Sequence, residues 1–390
     1  MKTMARWAAM AALAMTAAAW ADPKVDAFTP QGESKGVRQV AVRFGEPMVE
    51  FGDPRIADPF TLRCEGDPAA LKGKGRWADT TNWVYDFEAD LPSGQRCTFT
   101  TKPDLKTAAG QPIAGTKTFT FNTGGPTVMT SQPRDGHTSI DEEQAFILVF
   151  DGPVDPASLS GAWCEAAGVN ERIPTQVLSN DDTRKMLAEQ PQLAYRFYKL
   201  ILKGRKPIEL ARFKIEDTRW KTLPIFGVKC ARRLPSGAQV AVVIGGDVKT
   251  PSGIARGVPQ RLAFRVRTDF TAAFRCQRVN KDAQCMPTSS MRVDFTAPVA
   301  RDIAEAIRLK SARGKPRMPK LDPNVKTVDS VVFEGPFPEQ AQYTVELPAN
   351  LHDDAGRTLA NAASFPLTVK TDLYPALLKF PARFGILEAS

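Results

Sequence analysis

The chain has 390 residues, 43% hydrophobic and 24% charged, enough to bury a sizeable core in about two to four domains, which excludes disorder throughout. Its 52 Lys and Arg outnumber 43 Asp and Glu, for a formal charge of +9. That surplus raises a nucleic-acid or membrane-surface partner and has to be located along the chain. Only two histidines occur, His137 and His352, which disfavours His-rich zinc sites and hydrolases built on several histidines.

The N-terminus sets the compartment. Lys2 and Arg6 precede a 13-residue apolar run from Trp7 to Ala19, and Ala19-Trp20-Ala21 offers a small-x-small cleavage pattern before Asp22. This reads as a secretory signal over residues 1–21, so the mature chain is expected to be periplasmic or secreted. The run is too short to span a bilayer, nothing later approaches the required length, and Asp22 rather than Cys follows the cut. No membrane span and no lipid anchor are expected. Loss of Lys2 and Arg6 lowers the charge from +9 to +7.

Three segments carry a β-type run ending in Phe-x-x-Pro: Val40 to Pro47, Phe146 to Pro153 and Met291 to Pro298. Each is followed by a turn that opens a new strand, Leu91-Pro92-Ser93-Gly94, Leu234-Pro235-Ser236-Gly237 and the degenerate Phe337-Pro338-Glu339-Gln340. Each copy then closes on a strand ending in Thr123, Thr268 or Thr371, a distance of 32, 34 and 34 residues from the start of the turn. Pro fixes φ and Gly permits positive φ, so the turns are mechanistic signals of a repeat. The expected units are 22–124, 125–270 and 271–371, with 372–390 as the start of a fourth; the middle copy holds about 40 extra residues, an insertion around 184–221.

The six cysteines fall two to a unit. An even count in an exported chain reads as three disulfides, with fifteen connectivities formally open; two per unit gives Cys64–Cys97, Cys164–Cys230 and Cys276–Cys285. Metal-binding thiols are the alternative, but there is no Cys-x-x-Cys and too little His to complete a site. Short runs rich in Val, Phe and Thr, as in 38–44, 83–87, 239–244 and 343–347, alternate with Gly, Pro, Asn and Asp clusters. The fold class expected is all-β: tandem immunoglobulin-like β-sandwiches with a short helical insertion in the second. One or two helical turns are expected within Asp302–Ala312, where Ile303, Ile307 and Leu309 stand among charges, and a helix over Leu193–Lys203, with Leu193, Phe197, Leu200 and Ile201 as its apolar face.

Residues 184–221 hold eleven basic and four acidic residues, a net of +7, which equals the mature surplus. A general nucleic-acid partner is therefore not expected, and Arg196, Lys199 and Lys203 form the one stripe that could contact an anion or a partner; a solvated helix face is the plainer reading. Neither histidine lies in a nucleophile motif, so no catalytic residues, cofactor or metal are assigned. Asp353-Asp354-Ala355-Gly356 lacks the ligand pattern of a calcium loop and reads as a turn. Trp77, Trp83 and Trp163, the last beside Cys164, read as core aromatics rather than a glycan platform.

Several motifs, in order, resemble the N-terminal region of exported bacterial alpha-2-macroglobulins. They are Phe28-Thr29-Pro30-x-Gly32, Pro47 to Arg55, Gly75 to Asp79 with Trp83 to Phe87, Phe121 to Pro126, Ile140-Asp141-Glu142-x-Gln144 and Lys379 to Glu388. The resemblance covers nearly the whole mature chain. It implies a non-catalytic module of a protease trap, an endopeptidase inhibitor in which cleavage of a bait segment triggers confinement of the protease. Proteases would be partners through the full-length parent. No cysteine opens a Cys-x-Glu-Gln motif, so the thioester of many such proteins is absent, and the chain reads as an N-terminal piece. The alternative is a stand-alone tandem Ig-like protein that binds envelope components or has a structural role.

Overall fold

The computed structural model describes residues 22–50, 57–66, 72–202, 209, 212–214, 222–311 and 314–375. The signal segment 1–21, Lys203 and the segment Lys379 to Glu388 lie outside them.

The described residues are mostly β. In the first unit β1 (Val25–Thr29), β3 (Gln39–Phe44), β6 (Asn82–Phe87) and β5 (Gly73–Trp77) form one sheet, in the order β1-β3-β6-β5. The second sheet runs β2 (Gly32–Glu33), β8 (Thr118–Asn122), β7 (Arg96–Thr101), β4 (Phe60–Glu65). Alternation decides the facing: in β3, Val40, Val42 and Phe44 are buried while Gln39, Ala41 and Arg43 are exposed. Phe28, Phe60, Trp83, Phe99 and Phe121 fill the space between the sheets, with Phe28 and Phe99 edge to face at 5.3 Å. Such pairs contribute about 1 kcal/mol beyond their buried area.

The second unit is one continuous seven-stranded sheet curled towards a barrel. Its strands are β9 (Val128–Gln132), β10 (Ala145–Phe150), β11 (Ala162–Ala166), β12 (Ile173–Val177), β13 (Ile225–Cys230), β14 (Gln239–Ile244) and β15 (Gln260–Arg265), in the order β15-β14-β11-β12-β13-β10-β9. The two edge strands meet through one side chain: Gln260 accepts from the Val128 amide at 2.8 Å and donates to the Val128 carbonyl at 2.9 Å. This satisfies edge groups that would otherwise be open to pairing.

The insertion folds as α1 (Asn180–Ala188) and α2 (Pro191–Ile201), packed on the outer side of the sheet. Ser179 caps α1 by accepting from the Asp182 amide at 3.1 Å, and Pro191 opens α2 where a missing N–H costs nothing. Strand β10 explains the docking. Its run Phe146-Ile147-Leu148-Val149-Phe150 is buried throughout, because alternate residues face the barrel core and Ile147 and Val149 face Leu187, Leu193, Ala194 and Phe197 of the helices. Full burial of a side chain of Leu or Phe size contributes about 2 kcal/mol. Leu193 and Phe197 are buried and Ile201 packs against them as expected, whereas Leu200 is exposed and Ala194 takes its place in the contact.

The third unit pairs β16 (Ala272–Cys276), β17 (Met291–Ala300) and β19 (Thr327–Phe333) in one sheet, and β18 (Arg308–Ser311), β20 (Gln342–Glu346) and β21 (Leu367–Lys370) in the other. Of the one or two helical turns expected within 302–312, one forms, α3 (Arg301–Ala304), at the start of the segment. Ile303, Ile307 and Leu309 are all buried as expected, but Leu309 is buried as a strand residue, flanked by the half-buried Arg308 and exposed Lys310 of β18. Pairing of Arg308 to Ser311 with β20 supplies the backbone partners that a longer helix would have had to provide internally.

The disulfides join Cys64 to Cys97, Cys164 to Cys230 and Cys276 to Cys285, the pairs expected from two cysteines per unit. Cys64 and Cys97 are opposed partners on β4 and β7. Cys164 and Cys230 link β11 to β13 across the intervening β12, and both sulfurs belong to the core. On the loop-entropy account the 33- and 66-residue separations contribute about 4 kcal/mol each.

Candidate functional site: the unit junctions and the basic insertion

Backbone bonding aligns the three units more finely than the sequence does. At each turn the fourth residue has positive φ, 86° at Gly94, 69° at Gly237 and 50° at Gln340, so the third copy keeps the left-handed corner without glycine. These residues donate to the carbonyls of Gly124, Arg267 and Asp372 at 2.9, 3.0 and 3.2 Å. The preceding residues, Thr123, Val266 and Thr371, return the amide to Gln95, Ala238 and Ala341. Thr123 and Thr371 also donate their hydroxyls to the turn carbonyls of Pro92 and Pro338, each at 2.7 Å. Thr268 therefore sits two residues past the place its sequence match suggested, and Val266 occupies that place.

A second repeated element went unread in the sequence. Lys106-Thr107-Ala108-Ala109-Gly110-Gln111, Lys249-Thr250-Pro251-Ser252-Gly253-Ile254 and His352-Asp353-Asp354-Ala355-Gly356-Arg357 form one hairpin three times. In each, the buried Thr107, Thr250 or Asp353 side chain accepts from the amide four residues on, at 3.1, 3.2 and 2.8 Å. The glycine has φ of 80°, 82° and 72°. The Asp-Gly turn expected at 353–356 is thus the third copy of this hairpin.

Both junctions bring the trailing end of one unit against the leading hairpin of the next, through the turn at the first and through Arg267, Thr268 and Glu142 at the second. At the first, Ser252 Oγ donates to the Gly94 carbonyl at 2.7 Å, and Lys35 pairs with Asp151 at 3.0 Å. Close backbone approach dominates. A Cβ on Gly125 would lie 2.3 Å from the Ala255–Arg256 backbone, and one on Gly152 would lie 2.5 Å from Ser93 Oγ. Arg256 reaches under the linker to donate to Pro126 O at 3.2 Å and Thr127 Oγ1 at 2.9 Å.

At the second junction charges replace glycines. Arg267 of the second unit pairs with Asp141 at 2.8 Å and with Asp354 of the third at 2.9 Å. Arg357 of the third unit binds Asp353 at 2.7 Å and donates to Thr268 O at 2.9 Å. The same guanidinium reaches Glu142 of the second unit at 3.4 Å, and Arg233 binds the far oxygen of Glu142. Burial alone would raise the Asp353 carboxyl; hydrogen bonds from the Arg357 amide and guanidinium, the Arg357 charge and the Ala355 amide outweigh it and hold it below the usual carboxylate range.

In the insertion Arg196 and Lys199 are exposed on α2, with Lys199 Nζ 5.8 Å from the Tyr195 ring. Tyr195 and Tyr198 pack on Phe213, at 5.5 and 5.1 Å. Arg184 and Lys185 pair with Asp181 and Asp182 on the same helix. Lys203, the third residue of the expected stripe, is outside the described residues. His137 lies on an exposed turn where Nδ1 accepts from the Ser139 amide at 3.2 Å, and His352 belongs to the third hairpin, its Nδ1 2.8 Å from Asn350 O.

Of the tryptophans, Trp83 is core as expected and Trp77 is half-buried against Phe44 at 5.6 Å. Trp163 is not core. Its strand neighbour Cys164 faces inward, so Trp163 must face outward, where Arg172 stacks on it at 4.0 Å and its Nε1 donates to Glu165 at 2.9 Å. That bond, with one from Arg261, lowers the Glu165 carboxyl.

The fold is a series of β-sandwich units, one nearly closed as a barrel, joined by a reused contact. No known family profile and no curated protein matches the sequence. Among solved structures, an L,D-transpeptidase from Mycobacterium tuberculosis is 17% identical over 40% of this chain and 60% of its own, with a TM-score of 0.19. Domains 1–6 of the surface layer protein SbsC are 10% identical over 91% of this chain, which spans 54% of theirs, with a TM-score of 0.20. Native alpha-2-macroglobulin from Escherichia coli, in a fragment spanning domains MG0-NIE-MG1, is 9% identical over 90% of this chain and 97% of the fragment, with a TM-score of 0.21.

Proposed function

We propose that the chain is a non-catalytic, exported module of an alpha-2-macroglobulin-like endopeptidase inhibitor, a series of sandwiches that lends reach and orientation to trapping domains carried elsewhere in the parent. The observation that carries this reading is where the resembling motifs fall. Phe121 to Pro126 supplies Gly124, Gly125 and Pro126 of the first junction, and Ile140 to Gln144 supplies Asp141 and Glu142 of the second. Two of the resembling motifs thus supply residues that fix one unit against the next. The six cysteines are all paired, which supports a scaffold without thioester chemistry of its own, since a thioester needs an unpaired thiol.

An antibody raised against the mature chain tests this in envelope fractions of the cells that make it. The expected species is several times larger than this chain and, when immunoprecipitated with an endopeptidase, blocks cleavage of protein substrates while small peptide substrates are still cut. A single species of this chain's own size with no such protection would defeat the proposal. It would favour the second reading, a stand-alone envelope-binding protein, for which the exposed Arg196 and Lys199 beside Tyr195 speak; capture of an envelope component would then be lost in an R196E/K199E variant.

A further inference from the structure

The charge surplus of the sequence lies in the insertion, yet the fold gathers a second group of cations on the third unit. Arg275 of β16 and Arg292 of β17 are direct partners in register, and like charges so opposed destabilise a sheet. Asp294 lies 2.9 Å from the first and 3.2 Å from the second, one carboxylate for two guanidiniums. Both arginines line a cleft of about 550 Å³ together with Arg278, and the half-buried Phe274 lines it as well. Among the described residues no carboxylate lines this cleft, and Arg278 pairs with none. Three guanidiniums against Asp294 leave a local surplus of +2.

The other arginine-lined cleft shows the contrast. On the second unit Arg172 and Arg261 share their lining with Glu165 and Glu171, so the charges there balance. In the Phe-x-x-Pro repeat Arg292 and Asp294 also take the places of Ile147 and Val149, which the second unit buries under its helices. The third unit sets charge where the second sets an apolar contact.

We propose that this cleft binds the phosphate monoester of a small organic molecule, its oxygens taking the guanidiniums of Arg275, Arg278 and Arg292 and its carrier lying towards Phe274. Guanidinium forks match phosphate oxygens in geometry, and a phosphate monoester carries about −1.5 to −2 at neutral pH, which answers the local surplus. The cleft is larger than a bare phosphate needs and lies within the range of small-molecule sites, about 300 to 1,000 Å³. Ser289 donates to Gln277 Oε1 at 2.6 Å, and both residues line the cleft, so Gln277 keeps its amide N–H groups as further donors. The proposal is independent of the protease-trap reading.

The test is calorimetric titration of the purified chain with phenyl phosphate, benzenesulfonate, inorganic phosphate and phenol. Phenyl phosphate is expected to bind most tightly, benzenesulfonate several-fold more weakly because the same ring carries a smaller charge, and phenol not at all. Inorganic phosphate should compete, but with lower affinity. An R275S/R292S variant should weaken phenyl phosphate by about tenfold or more, and R275K/R292K, which keeps the charge, should weaken it less. R196S/K199S removes the same charge from the insertion and should leave binding unchanged. Undiminished binding in R275S/R292S, an equal loss in R196S/K199S, or benzenesulfonate as tight as phenyl phosphate would overturn the proposal. Inorganic phosphate as tight as phenyl phosphate would make the free ion the ligand and overturn the organic monoester.

Discussion

At the first junction the units meet through glycines, and at the second through a cluster of arginines and carboxylates, although the same hairpin of the leading unit is used at both. Gly125 and Gly152 leave no room for a side chain, so the first contact depends mainly on backbone proximity. In the second, Arg267, Arg357 and Asp353 have side-chain exposures of 11%, 9% and 0%, so each charge depends on its partners rather than on water. One geometry can therefore be stabilised by shape or by charge, and the two should respond to different perturbations.

The largest effect is expected from Asp353→Ala. It leaves Arg357 without its closest carboxylate in a buried setting, where losing one partner costs about 3 kcal/mol. Denaturant unfolding of the mature chain would show this as an early transition of the third unit. Asp354→Ala is the control: its side chain is 45% exposed, so about 0.5 kcal/mol is expected. Equal costs for the two would mean that burial of the Asp353–Arg357 pair adds nothing over the exposed Arg267–Asp354 contact.

Gly125→Val attacks the first junction alone. With no positive φ at this residue, any penalty comes from the side chain meeting the Ala255–Arg256 backbone, and overpacking of this kind costs about 2 kcal/mol. Small-angle scattering should show a longer, looser particle while the Cys276–Cys285 unit keeps its unfolding midpoint. A chain of unchanged dimensions would show that the close approach is not needed for docking.

Acid should separate the junctions. The folded Asp353 carboxyl is depressed, so its stabilisation is present above the unfolded value of about 3.9 and is lost as pH falls through the lower folded value. The second junction should therefore be intact at neutral pH and loosen below about pH 4, while the first shows no matching change. Cross-links placed across each junction and read from pH 7 to pH 2 check the ordering; simultaneous loss at both would remove the distinction.

Local chemistry and the cysteine pairing were legible in the sequence, whereas the other long-range contacts were not. The Leu-Pro-Ser-Gly turns could be read because Pro and Gly constrain the backbone wherever they stand, and the cysteine pairs because each unit holds two. The hairpin repeat was visible as Lys106-Thr107-x-x-Gly110 and Lys249-Thr250-x-x-Gly253, but the third copy substitutes His352-Asp353, which performs the same capping bond with a carboxylate in place of a hydroxyl. Arg267 and Arg357 look like any surface arginine until the fold sets them beside carboxylates from another unit. Trp163 was misread because its neighbour Cys164 is core, and adjacent strand residues face opposite ways.

The smallest effect tests whether the Lys35–Asp151 ion pair at the first junction matters. Lys35 pairs with Asp151 at 3.0 Å, but its side chain is 39% exposed, and its ammonium also donates to the Gly125 carbonyl. Asp151 keeps another partner, the Thr127 amide at 2.8 Å, so removing the lysine does not leave a buried carboxylate alone. Lys35→Met should therefore cost about 0.5 kcal/mol, and that difference should shrink further in high salt. A cost near that of Asp353→Ala would show that the first junction is electrostatic after all, and would place both junctions in one class.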